Sequence, residues 1–126
     1  MSVAGVGIDV VEVARIERSL DRFGDRFLQR VFTAGEIDYC KSMPFPARHF
    51  AARFAAKEAV SKAFGTGIGK AMGWKDIDVQ RKASGEPFLV LSGGAGVLAE
   101  QRRQRASWIS LSHTDHHAVA TVVLES

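Results

Sequence analysis

The sequence has a single cysteine, Cys40. An internal disulfide framework and a zinc site built on several cysteines are therefore excluded. That scarcity suits a reducing cytoplasm, the expected location. No apolar run approaches the ~18 residues that a membrane span needs. The N-terminus, Met1-Ser2-Val3-Ala4-Gly5, has no basic segment and soon reaches Asp9, so no signal peptide is expected. Tyr39 is the only tyrosine, and both tryptophans fall in strand-like runs. The aromatic–basic interleaving of a single-strand nucleic-acid platform is missing. No internal repeat or low-complexity segment occurs. What remains, 46% hydrophobic and 25% charged residues in a chain of 126, is the balance of one globular domain over residues 1–126.

The net charge is +3, too small to name a partner by itself. Distribution says more. Arginines cluster in residues 15–30 and 102–105, which suits an acidic partner or a phosphate-bearing ligand.

The β-branched run Val3–Val13 predicts a strand, interrupted by Asp9. Ile16, Leu20, Phe23 and Phe27 recur at helical spacing, so residues 14–30 form a helix that Gly24 breaks or kinks. Thr33 and Glu36 make a capping-box pattern that opens another helix. Pro44 and Pro46 close that segment. Residues 47–64 are alanine-rich without Gly or Pro and predict a long helix, ended by Gly65-Thr66-Gly67-Ile68-Gly69. Residues 74–81 and 88–91 predict a hairpin around Ser84-Gly85-Glu86-Pro87. Residues 95–105 predict a helix with Val97 and Leu98 inward and Arg102, Arg103 and Arg105 at its end. Residues 108–112 and 118–124 predict strands. The expected fold is α+β: a mostly antiparallel sheet packed against a long helix and shorter ones.

Several residues stand out against that background. A carboxylate in an apolar strand is costly unless it is solvated, paired or metal-bound. Asp9 therefore either reaches solvent at the strand end, caps the next helix, or holds a partner. On the 47–64 helix, Phe50, Phe54, Ser61 and Phe64 share a sector, yet charges fall on both sides of it. Arg53 and Lys57 flank one edge, and Glu58 and Lys62 lie beyond the other. A surface helix confines its charges to one face, so this one is approached from several sides. Glu58 and Lys62 also have the spacing of an i, i+4 ion pair. The glycines 65–69 could cradle phosphate with backbone N–H groups, or simply cap the helix. They lack the Lys-Ser/Thr ending of a P-loop. Arg15, Arg18, Arg22 and Arg26 would make one basic stripe on a continuous helix, beside Phe23. His113, at a strand end, is placed to bind phosphate or move a proton. The turn Asp115-His116-His117 suits an exposed polar loop better than a zinc site.

Three segments together resemble the small bacterial 4′-phosphopantetheinyl transferases, the holo-acyl-carrier-protein synthase family. They are Gly7-Ile8-Asp9-Val10-Val11-Glu12-Val13-x-Arg15-Ile16, Arg53-Phe54-Ala55-Ala56-Lys57-Glu58-Ala59-x-x-Lys62-Ala63-x-Gly65-Thr66-Gly67-Ile68, and Ile109-Ser110-Leu111-Ser112-His113-Thr114. The likeness covers nearly the whole chain, including Gly85-x-Pro87. It implies transfer of the 4′-phosphopantetheine arm of coenzyme A to a serine of apo-acyl carrier protein, which leaves adenosine 3′,5′-bisphosphate and serves fatty acid biosynthesis. Asp9 and Glu58 would hold Mg²⁺, and Lys62 would face the phosphates. Catalysis would rest on Glu58, Lys62 and Asp9, with Glu58 the first choice of base. Arg48, Arg53, Gly65, Gly67, His113 and Thr114 would bind coenzyme A. The stripe Arg15, Arg18, Arg22 and Arg26, with Phe23, would dock the carrier protein. The family also implies a homotrimer, with His113 reaching the neighbour's Asp9 and Glu58. No nucleic acid or membrane partner is expected. Two other classes compete: a non-catalytic module for an acidic protein helix, and a small nucleic-acid binder.

Overall fold

The computed structural model describes all of residues 1–126. Strand β1 (Val3–Glu12) leads directly into helix α1 (Val13–Phe23). Gly24, at φ 54°, takes a left-handed conformation and divides the predicted helix, so α2 (Asp25–Val31) sets off in a new direction. Helix α3 (Ala34–Lys41) opens with the expected capping box. The Thr33 hydroxyl accepts from the Glu36 N–H, and the Thr33 N–H donates to the Glu36 carboxylate. Helix α4 (Pro46–Phe64) follows. Pro46 occupies its first turn, where a missing N–H is harmless, and so opens this helix rather than closing the one before.

The hairpin consists of β2 (Ile77–Arg81) and β3 (Pro87–Leu91). Trp74–Asp76 form a single 3-10 turn instead of the start of β2. The Asp76 carboxylate accepts the Gly73 and Gly94 N–H groups, which holds that turn against the following helix. That helix, α5 (Gly93–Gln101), is shorter than predicted, and Ala95 is its buried residue. Val97 points outward and is 56% exposed, contrary to the sequence expectation. Arg102 and its neighbours lie beyond the helix end. Strands β4 (Ala106–His113) and β5 (His117–Glu125) complete the chain.

The main sheet is antiparallel with order β1-β5-β4. The α+β architecture expected from the sequence is present. Helix α4 lies across the inner face of the sheet and is buried nearly all round, Arg53 and Lys57 included. Two glycines permit this. A Cβ on Gly7 would stand 1.8 Å from the Ala59 carbonyl oxygen, and one on Gly5 would stand 2.1 Å from that of Ala63. Strand and helix backbones therefore touch with no side chain between them. The opposite face of the sheet carries Val6, Ile8, Val10 and Trp108, all more than half exposed.

Candidate active site

Asp9 sits on the helix-facing side of β1, paired in register with Ala120. Its Oδ1 accepts from Lys62 Nζ at 2.9 Å, and Lys62 also donates to the Ile8 carbonyl at 3.1 Å. Asp9 therefore neither caps α1 nor ends the strand; it holds a partner. Lys62 pairs with Asp9 across the strand–helix junction, so the i, i+4 pair with Glu58 is not formed. The Asp9 hydrogen bond and charge raise the Lys62 pKa above its ordinary value. Glu58 is pushed upward by burial and by the negative charge of Asp9, with Lys62 and Arg15 opposing. Two carboxylates thus stand near enough to repel, one beside an ammonium. No cluster of three or more His, Cys, Asp or Glu side chains converges anywhere. Asp9 and Glu58 offer hard oxygen donors and leave most of a coordination shell to water or phosphate, which fits Mg²⁺.

The glycine loop beyond α4 behaves as a cap. Gly65 and Gly67 have φ of 78° and 70°, and nothing lies within 4 Å of a Cβ on either. Their N–H groups are not free for a phosphate. Gly65 donates to the Lys62 carbonyl, while Thr66 and Gly67 both donate to that of Ser61. The loop offers open space beside Lys62 rather than a cradle of donors. Arg102 donates to the Phe64 carbonyl at 2.6 Å, so it serves the C-terminus of α4 and not that of its own helix.

A second polar group lies nine residues back along α4. His49 and Arg53 are half a helical revolution away from Glu58 and Lys62 respectively, and ~13 Å along the axis. The His49 ring meets that of His113 edge-on at 4.9 Å. His49, Arg53, His113, Tyr39 and Arg81 line one cleft of ≈ 230 Å³. Burial, then the charges of His113, Arg53, Arg81 and Arg48, hold His49 below its ordinary pKa. Of the residues expected to bind coenzyme A, this cleft gathers Arg53 and His113 but not Arg48 or Thr114. Arg48 stacks on Phe45 at 4.1 Å and pairs with Asp115 at 3.2 Å. The Thr114 hydroxyl accepts from the N–H groups of His116 and His117 and fixes their turn. Sequence reading missed His49, Tyr39 and Arg81. Only His49 had a visible signal, the i, i+4 spacing to Arg53.

The basic stripe is interrupted. Arg15, Arg18 and Arg22 share one face of α1, whereas Arg26 belongs to α2 beyond the Gly24 bend. The bend brings Arg26 back to Phe23: with Ser19, Phe27 and Arg30 they line a cleft of ≈ 220 Å³. Arg15 sits over the Phe54 ring at 5.2 Å, close enough for its charge to act on Glu58. Cys40 plays no part. Burial pushes its thiol up to about 12, which keeps it protonated and unreactive.

The core holds a buried ion pair. Lys57 Nζ stands 2.8 Å from Glu36 Oε1, with both side chains fully buried. Lys57 also donates to the carbonyls of Trp74 and Ile77, and the other Glu36 oxygen accepts the Val79 N–H. This knot ties α3, α4 and β2 together on the side of α4 that carries Arg53.

Residues 5–122 match the model of the 4′-phosphopantetheinyl transferase superfamily. The chain is 49% identical over 123 residues to a holo-[acyl-carrier-protein] synthase of Koribacter versatilis, covering 98% of each. The crystal structure of the Neisseria meningitidis holo-[acyl-carrier-protein] synthase superposes with a TM-score of 0.91 at 32% identity, over 99% of this chain and all of that one. That of the Helicobacter pylori synthase in complex with coenzyme A gives 0.85 at 35% identity, over 95% and 99%. No helix is long and apolar enough to cross a membrane. The carboxylates and lysine where β1 meets α4 therefore belong to a recognised frame: the chain is a member of the 4′-phosphopantetheinyl transferase superfamily, within its holo-[acyl-carrier-protein] synthases.

Proposed function

We propose that residues 1–126 act as one cytoplasmic transferase domain that moves the 4′-phosphopantetheine arm of coenzyme A to a serine of apo-acyl carrier protein. The observation that carries this is the Asp9–Lys62 pair at 2.9 Å with Glu58 beside it. A Mg²⁺ ion held by Asp9 and Glu58 would supply positive charge to the pyrophosphate as its bridging bond breaks. Lys62 adds a point charge at the same phosphates. Glu58, with its raised pKa, accepts the proton of the carrier serine. The serine oxygen forms a new bond to phosphorus, the pyrophosphate P–O bond breaks, and adenosine 3′,5′-bisphosphate leaves with that electron pair. Gly65 and Gly67 leave room for the pyrophosphate to approach. The nucleophile arrives with the partner, which agrees with a chain whose only thiol is buried and inert.

His49 and Arg53 face away from Glu58 and Lys62 along α4, which supports a site shared between two copies. We assign Arg53 and His113 to the 3′-phosphate of coenzyme A held by a neighbouring copy. A homotrimer meeting through the exposed apolar face of Val6, Ile8, Val10 and Trp108 would supply that arrangement.

The test is intact-mass analysis of apo-acyl carrier protein incubated with this protein, coenzyme A and Mg²⁺. The carrier gains one phosphopantetheine arm, EDTA abolishes the gain, and native mass shows the active species as three chains. No gain with folded protein would leave the competing binding-module reading; an active monomer would remove the shared site.

Docking of the carrier is assigned to Arg18 and Arg22 on α1 and to the Phe23–Arg26 cleft. Arg15 stands at the boundary with the catalytic group, so Arg22 is the cleaner probe. Arg22→Glu raises the KM for carrier protein about tenfold, because a rim charge governs encounter, and leaves the Kd for coenzyme A unchanged. Equal loss for both ligands in steady-state kinetics would show that the stripe has no separate role. Rising salt weakens the same step, since exposed charges are screened beyond ~8–10 Å.

A further inference from the structure

Three charged side chains meet where β1 crosses α4, and their charges do not balance. Asp9 and Glu58 are negative and Lys62 is positive, which leaves a single negative charge. Lys62 is committed to the strand. Its Nζ donates to Asp9 Oδ1 at 2.9 Å and to the Ile8 carbonyl at 3.1 Å. The Asp9 side chain is 17% exposed, against 52% for that of Lys62. Glu58 forms no ion pair, although the charges of Asp9 and Lys62 both act on it.

An ammonium in hydrogen-bond contact with a carboxylate oxygen obstructs a metal ion that seeks the same oxygen. Two cations on one carboxylate also repel each other. A divalent ion added to these three side chains would turn their net charge from −1 to +1. A phosphate-bearing ligand removes both obstacles. It cancels the excess positive charge, and it offers the ammonium another anion. Lys62 can make that move, because its stem is flexible and its side chain half exposed, so α4 need not shift.

We propose that Lys62 is a resident cation at Asp9, one that competes with the divalent metal and makes its binding conditional on a phosphate-bearing ligand. This rests on the assignment of Asp9 and Glu58 to the metal. The lysine then has two stations: Asp9 in the free protein, and the phosphates once coenzyme A is bound. Metal and coenzyme A therefore bind cooperatively, each raising the affinity for the other.

The experiment titrates the intact protein with Mn²⁺, an ion that shares the oxygen-donor preference of Mg²⁺. Free Mn²⁺ is followed by electron paramagnetic resonance, with and without coenzyme A. Lys62→Met removes the charge and keeps much of the length. Without coenzyme A it binds Mn²⁺ more tightly than wild type by about tenfold or more, a modest share of what two charges at contact exert. The further gain from coenzyme A is smaller than in wild type. Lys62→Arg keeps the charge and stays within about threefold of wild type. Melting curves give a second readout: Mn²⁺ raises the melting temperature of Lys62→Met more than that of wild type. Lys62→Gln replaces Lys62→Met if the latter does not fold. A variant without the charge that binds Mn²⁺ no more tightly than wild type overturns the proposal. Asp9→Asn distinguishes this failure from that of the reading beneath it. If Asp9→Asn loses Mn²⁺ while Lys62→Met gains nothing, the metal assignment stands and the competition is refuted. If Asp9→Asn binds Mn²⁺ as wild type does, with coenzyme A present, both fall.

Discussion

Glu36→Gln will lower stability by about 3–5 kcal/mol, the usual result of leaving one member of a buried pair behind. That corresponds to a fall of roughly 10–20 °C in the melting temperature of a domain this size. Lys57 is fully buried, and Glu36 is the one carboxylate within salt-bridge reach of it. Burial already pulls the Lys57 pKa down, and the Glu36 charge and hydrogen bond oppose that pull. Without Glu36 it falls further. A lysine whose folded pKa lies below its unfolded value binds fewer protons when folded, so stability rises with pH. The deficit of Glu36→Gln should therefore shrink as pH climbs towards the ordinary lysine value near 10.4. The double substitution Glu36→Gln/Lys57→Met should recover part of the loss: the glutamine oxygen still accepts the Val79 N–H, but its amide nitrogen cannot accept from Thr33. Thermal melts from pH 7 to 10 check all three statements. A single variant that melts within a few degrees of wild type would mean that the knot contributes nothing.

Asp9→Asn has the largest expected effect on activity. It deletes one of two carboxylates proposed for Mg²⁺ and takes away the negative charge that pairs with Lys62. Transfer should fall by a factor of ~10³ or more, given the several kcal/mol such a charge cluster supplies. The fold should survive, because Asn can still accept from Lys62. Stopped assays of residual activity measure the fall. Retention of full rate would end the role assigned to Asp9.

The parts of the fold set by local chemistry were legible in the sequence. The capping box at Thr33 and Glu36, the Gly24 break, the hairpin turn and the long α4 each follow from residue types within a few positions. Spread charges on α4 also announced burial on several sides. What was not legible depends on distant partners. Glu36 reads as a cap because its tie to Lys57 spans α3 to α4. Lys62 reads as the partner of Glu58, four residues off, because nothing in the sequence shows β1 bringing Asp9 closer. Tyr39 and Arg81 have no local pattern at all; they meet only because α3 and β2 pack on the same side of α4. The basic stripe failed where its premise failed, at the helix break.

The bare contact between β1 and α4 has a consequence for how the catalytic group is assembled. Alternate residues of β1 are Gly5, Gly7 and Asp9 on one side, and Val6, Ile8 and Val10 on the other. A slip of one residue would drive Val6 or Ile8 into the carbonyls of Ala59 and Ala63, where even a methyl group has no room. A slip of two would bring Asp9 itself against the helix backbone. The strand thus has one admissible seat. Misregistered chains are turned away by steric exclusion before any electrostatic pairing is tested, and every molecule that folds delivers its aspartate to the same lysine.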